Sequence, residues 1–299
     1  MSDDERRSIS DELTPPFGVL GPVVQRAPFV FCSPHSGRIY PRRFLSQSRL
    51  DPTTLRKSED CFVDELFSHV AGLGAPLIAA RFPRAYVDVN REPYELDPEL
   101  FAESLPDYAN SQSARVIGGL GTIARVVADG EEIYRERPTL AAAFERIDQL
   151  YKPFHSALAT LIETTRVRFG YAVLVDCHSM PSVSALHSSS TRPDFVIGDR
   201  YGGSCSARLT RIVKETLSGL GYEVHLNRPY AGGFITEHYG RPARGIHAIQ
   251  LEINRALYMD ESTLTQKPGF ADMQRVLAHL SARLFTEGPT FLARRAAAE

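Results

Sequence analysis

Tryptophan is absent from this sequence, and cysteine is nearly so. The four cysteines (Cys32, Cys61, Cys177, Cys205) form no C-x-x-C pair among 299 residues. That excludes a disulfide framework and the common cysteine-based zinc motifs, and it reads as a few small buried thiols in a reducing compartment. No apolar run is long enough to span a bilayer, so no membrane role is expected. The charged start, Met1 to Arg7, lacks a following apolar signal core, which makes the cytoplasm the default location. Charge of neither sign dominates, with 34 Lys and Arg against 36 Asp and Glu, and this argues against nucleic acid as a partner. Several reaction motifs are missing too. There is no H-E-x-x-H helix, no G-x-S-x-G elbow and no G-x-x-x-x-G-K-[ST] loop, so zincin, serine-hydrolase and P-loop chemistry lose their usual signatures.

The sequence does carry apolar strands that end in histidine. Phe29 to Cys32 leads through Ser33 and Pro34 to His35, and Ala172 to Val175 leads through Asp176 and Cys177 to His178. Ligands in open α/β sheets bind beyond the carboxyl ends of strands, so two imidazoles delivered there point to a metal. Zinc takes neutral imidazole readily, and a catalytic zinc keeps three protein ligands. The third ligand is expected to be Asp60, with Glu59 as the competitor; helix N-capping is the alternative role for Asp60. Asp176 is placed to orient an imidazole.

Glu252 lies within Ile249-Gln250-Leu251-Glu252-Ile253. A carboxylate inside an apolar strand is either paired or functional. The spacing leaves both open: a general base with a raised pKa, or an ion pair with Arg255. Arg84, Asn90 and Arg91 flank a strand expected at 85–89, where arginine suits a carboxylate or an oxyanion; surface pairing is the alternative. Tyr230 to Gly240, including Gly233, His238 and Tyr239, reads as a substrate-contacting loop or a plain turn.

Between these points, residues 1–15 are expected to be frayed and 16–299 to form one domain. Helices are predicted near 60–70, 139–167 (kinked at Pro153), 207–220 and 269–286. Residues 91–136 read as irregular, either a lid or a solvated insertion, and 179–193 as a Ser-rich loop. Further strands are expected at 77–80, 194–198, 223–226 and 248–253. Alternating strands and helices predict an α/β sandwich.

Taken in order, Ser33-Pro34-His35-Ser36-Gly37, Glu59-Asp60, Arg84 with Asp88-Val89-Asn90-Arg91, Asp176-Cys177-His178-Ser179, Gly232-Gly233 with His238-Tyr239-Gly240, and Gln250-Leu251-Glu252 resemble the N-formylglutamate amidohydrolase family over about residues 28–285. The resemblance implies a three-layer α/β sandwich related to zinc carboxypeptidases and aspartoacylases, with a mixed central sheet flanked by helices. It also implies one zinc ion on His35, Asp60 and His178, Glu252 as general base and acid, Arg84 polarising the scissile carbonyl, and Asn90 and Arg91 clamping the substrate's α-carboxylate. The implied partner is a small N-acyl amino acid, N-formyl-L-glutamate by the family's name, in histidine degradation. Two other readings stay open: a deacylase or carboxypeptidase acting on another N-acyl amino acid or small peptide, and a non-catalytic metal- or amino-acid-binding protein. The oligomeric state is not legible.

Overall fold

The computed structural model describes residues 2–127, 130–182 and 192–292. Most of the Ser-rich loop expected at 179–193 therefore lies outside the described residues. Seven strands form one mixed sheet: β1 (Phe17–Leu20), β2 (Phe29–Ser33), β3 (Leu77–Ala80), β4 (Ala172–Met180), β5 (Phe195–Gly198), β6 (Val224–Leu226) and β7 (Ile246–Asn254). Their order is β1-β3-β2-β4-β7-β5-β6, and a separate pair joins β8 (Met259–Asp260) to β9 (Thr265–Gln266). β2, β4 and β7 run parallel, so their carboxyl ends share one end of the sheet, whereas β5 runs antiparallel to β7. All nine residues of β4 are buried, as are the last eight of β7. That is the pattern of central strands covered on both faces, and it explains their nearly continuous apolar runs. Helices flank the sheet, as the sequence predicts.

Two compact units emerge. One comprises Met1–Gly18, Pro34–Cys61 and Ala79–Ala157; the other comprises Val19–Ser33, Phe62–Ile78 and Leu158–Glu299.

The first unit corrects the expectation of a frayed terminus. Ser2–Glu12 is a helix whose Glu5, Ile9 and Leu13 are buried. Arg146, with no exposed surface, donates through Nε to Glu5 Oε1 at 2.6 Å, and Tyr86 Oη donates to the same oxygen at 2.6 Å. The Arg146 guanidinium also lies 4.1 Å from the Tyr86 ring centroid. Burial opposes the charge of Glu5, but Arg146, Tyr86 and Arg43 more than offset it and hold its pKa below the ordinary glutamate value. The helix is thus fixed by one buried charge pair, a signal that composition alone does not reveal.

The expected 139–167 helix divides into Leu140–Arg146, a π-helical turn Ile147–Tyr151, and Lys152–Phe169. Pro153 has no N–H to return to the preceding turn, and the wider turn just before it absorbs the break. Thr139 caps the start through its side chain, which accepts from Ala142 N.

Residues 85–89 are a turn rather than the expected strand. Tyr86 N and Val87 N both donate to Pro83 O, so the backbone is spent locally. The helix near 60–70 is also broken, into Val63–Leu66 and Val70–Leu73. Phe62 occupies the cap position with φ 65°, so Asp60 is not the N-cap. In the second unit, Ala207–Gly219 is a helix close to its predicted bounds, and Gly269–Leu292 begins where predicted but runs past the predicted end at 286.

Candidate metal centre

His35 follows β2 by two residues and is buried. The loop it opens passes close under residue 82. A Cβ on Gly37 would stand 2.0 Å from Phe82 O, a separation no side chain tolerates, so this approach requires glycine.

Around His35 the first unit builds a charged cradle on Asp88. His35 Nε2 donates to Asp88 Oδ1 at 2.7 Å, Asn90 N donates to the same oxygen at 2.8 Å, and Arg84 Nη2 donates to Oδ2 at 2.7 Å. Arg91 Nη2 lies 3.8 Å from Oδ2. Burial penalises the Asp88 charge, yet Arg84, His35 and Arg91 outweigh it and hold the carboxyl well below the usual aspartate value. An ionised carboxylate only accepts, so Nε2 carries a proton, which leaves Nδ1 as the candidate ligand nitrogen. That nitrogen lies 3.5 Å from Asp60 Oδ2.

Asp60 is buried, and its N–H donates to His35 O at 3.0 Å. Its neighbour Glu59 turns to Arg56, whose Nε donates to it at 3.1 Å.

Arg91 is buried and spends Nε on Leu120 O and Nη1 on Asn90 O, both at 2.9 Å. Burial, set against the attraction of Asp88, brings its pKa down to about 10, so the guanidinium stays charged at neutral pH.

In the second unit, His178 and Glu252 lie on neighbouring strands. Asp176 and His178 share one face of β4, because side chains two apart on a strand point the same way. His178 Nε2 lies 2.9 Å from Asp176 Oδ1, and Thr236 Oγ1 donates to Asp176 Oδ2 at 3.1 Å. The parallel register pairs His178 with Glu252 and Asp176 with Gln250. Glu252 is buried and accepts from Gln250 Nε2 at 3.0 Å. Arg255, the ion-pair alternative for Glu252, donates from Nε to Ser179 Oγ at 3.2 Å.

His35, Asp60 and His178 form a group whose ligand atoms all lie within 4.8 Å of one another, each residue buried. Two imidazoles and one carboxylate are the donor set that a divalent ion such as zinc takes, and three protein ligands leave one position for a substrate or water. The residues therefore fit a metal.

The other candidate residues each engage neighbours of their own. Residues 234–239 form a short helix, Phe234–Tyr239, rather than a loop. Gly233 donates its N–H to Gln250 Oε1 at 2.8 Å. His238 is exposed and stacks on Phe234, with ring centroids 4.9 Å apart, and half-buried Tyr239 packs edge-on against His238. His69, read as structural, spends both ring nitrogens, on Leu66 O and Ser281 Oγ. All four cysteines are buried and none is in a disulfide, and burial pushes the Cys205 thiol up to about 12, which disfavours its thiolate at neutral pH. Sequence reasoning included Asp88 and Gln250 among the segments of the resemblance but gave neither a role. Both carry the signal that singled out Glu252, a polar side chain between apolar neighbours in a short run.

The family model for N-formylglutamate amidohydrolase matches residues 27–259. N-formylglutamate deformylase of Pseudomonas putida is 30% identical over 248 residues, covering 79% of this chain and 84% of the relative. The enzyme of the same name from Pseudomonas aeruginosa is 29% identical over 240 residues, with the same coverage of both chains. Among solved structures, N-formylglutamate amidohydrolase from Ralstonia eutropha JMP134 superposes with a TM-score of 0.86 at 35% identity, over 93% of this chain and 99% of that one. Gene product Atu2144 from Agrobacterium tumefaciens shares the fold, with a TM-score of 0.56 at 19% identity over 93% of this chain and 99% of that one. With its match running through the segments that carry His35, Asp60, Asp88, His178 and Glu252, the chain belongs to the N-formylglutamate amidohydrolase family.

Proposed function

We propose that this chain is a zinc-dependent amidohydrolase that cleaves N-formyl-L-glutamate to formate and L-glutamate. The single observation that carries the reading is the buried His35–Asp60–His178 group in a member of this family. The family match crosses segments of both compact units, which supports treating 16–299 as one catalytic domain.

His35, Asp60 and His178 would hold the ion. Zinc, when bound, supplies a lowered water pKa and a Lewis acid for the carbonyl oxygen. Glu252 accepts a proton from the attacking water and passes it to the departing amine nitrogen, so one carboxylate serves as base and then acid. Arg84 stabilises the oxyanion that develops on the formyl oxygen. Asn90 and charged, buried Arg91 receive the α-carboxylate, and the segment from Gly233 to Tyr239 contributes to substrate contact. The reaction needs only water and a small molecule, so no macromolecular partner is invoked. Among the described residues no helix is long and apolar enough to cross a membrane; the proposed setting is the cytoplasm, where histidine degradation would supply the substrate.

The test is formate release from N-formyl-L-glutamate with and without a chelator. Chelation should abolish release, and added zinc should restore it. Release unaffected by a strong chelator, with metal shown to be removed, would overturn the metal assignment. Glu252→Gln should retain zinc while turnover falls by about 10²–10⁴; normal turnover would remove Glu252 from the mechanism. Arg84→Ala should cost about 10²–10³ in rate, and because Arg84 also neutralises Asp88, it should weaken metal binding as well.

A further inference from the structure

Gln250 has a fixed amide orientation. It is buried on β7, two residues before Glu252 and on the same face. The backbone N–H of Gly233 donates to its Oε1 at 2.8 Å. A peptide N–H is a donor only, so the side-chain atom it meets must be the carbonyl oxygen. The amide therefore cannot turn over without placing its NH₂ against another donor. With the oxygen held, Nε2 is aimed at Glu252 Oε1, 3.0 Å away. A donor fixed on one carboxylate oxygen restricts rotation of that carboxylate.

The anchor is itself braced. A Cβ on Gly198, which pairs with Gln250 in register, would stand 2.6 Å from Gly232 N and 2.7 Å from Ala231 C. Glycine there lets the 231–233 segment lie directly against β5. Just beyond, Thr236 has no exposed surface and donates to Asp176.

We propose that Gln250, locked by the Gly233 N–H, is the positioning residue of the general base: it holds the Glu252 carboxylate in the orientation proton transfer requires. This rests on the reading of Glu252 as base. It also gives Gly233 a task other than substrate contact, namely fixing the rotamer of Gln250. Gln250 touches no reacting atom; it acts through Glu252.

Two variants separate its parts. Gln250→Met keeps the volume and removes both hydrogen bonds. Gln250→Glu keeps an acceptor for Gly233 and removes the donor to Glu252, so it remains informative if the methionine variant does not fold. Each is made in the full zinc-loaded chain, alone and combined with Glu252→Gln. The expected result is a fall in kcat of about 10–100-fold, the range for losing a partner that orients a functional side chain. KM should stay within about twofold, with zinc content and thermal midpoint near the parent's. In the Glu252→Gln background the same changes should cost less than about twofold further, because groups that act as a unit are not additive. Unchanged kcat in the folded single variants would overturn the proposal, as would an equal fall in both backgrounds. If Glu252→Gln alone turns over normally, the base assignment fails instead, and the two failures are told apart by that single variant.

Discussion

At the scale of single residues, buried carboxylates are kept charged where water is scarce. Asp88 is the clearest case, because one carboxylate accepts from His35, Asn90 and Arg84. Asp88→Asn preserves shape but removes the charge and allows the amide NH₂ to face the histidine. The expected outcome is a zinc affinity lower by about 10–100-fold, measured by competition with a chromophoric chelator. Wild-type affinity in a correctly folded variant would leave Asp88 without an orienting role. Asp88 and Gln250 were partly legible in the sequence, since each interrupts an apolar run. Their partners were not, because a hydrogen bond between residues 53 apart, as for His35 and Asp88, leaves no local trace. His35, His178 and Glu252 could be singled out because they stand at or within strands whose apolar character is unmistakable. The sequence favoured Asp60 over Glu59, and the fold is consistent with that preference, since Asp60 Oδ2 lies 3.5 Å from His35 Nδ1 while Glu59 accepts from Arg56.

At the scale of elements, long periodic segments were readable and short ones were not. The helices at 207–219 and 269–292 and the central strands agree with the pattern because burial on a regular face imposes a period. The helix at 234–239 is six residues long, too short for a period to register, and its glycine-rich approach reads as loop. The turn at 85–89 has strand-like composition, yet Pro83 O takes two of its N–H groups. One connection allows a direct prediction. Gly37→Ala would place a methyl 2.0 Å from Phe82 O, which forces the loop after His35 to move. Stability should fall by about 1–3 kcal/mol, the usual range for overpacking, in urea unfolding, and zinc should bind more weakly. A variant with parental midpoint and parental metal affinity would show that the loop accommodates the methyl freely.

For the molecule as a whole, two features set stability against solution conditions. The first is the buried pair of Glu5 and Arg146. Breaking it by Glu5→Ala strands a buried guanidinium and should cost about 3–5 kcal/mol in denaturant unfolding. Because the folded pKa of Glu5 lies below its unfolded value of 4.5, its contribution is full above that pH and is lost as pH falls through the folded value. The acid limb of stability in Glu5→Gln should therefore be flatter than the parent's below about pH 4.5, and identical slopes would contradict the assignment. The second is the proposed metal. An ion that binds only the folded chain adds about 2.7 kcal/mol at 100 times its Kd, so a chelator should lower the thermal midpoint, and an unmoved midpoint would argue that no ion is held. The pairing of β4 with β7, which sets His178 opposite Glu252, has a consequence of its own. Because neighbours along a strand face opposite sides, lengthening the chain by one amino acid just before Ile249 would turn the Glu252 carboxylate away from the imidazole. Lengthening it by two would return it to the correct side but two residues out of register, opposite Met180. The tolerance of this protein to insertions along β7 should thus alternate with their parity.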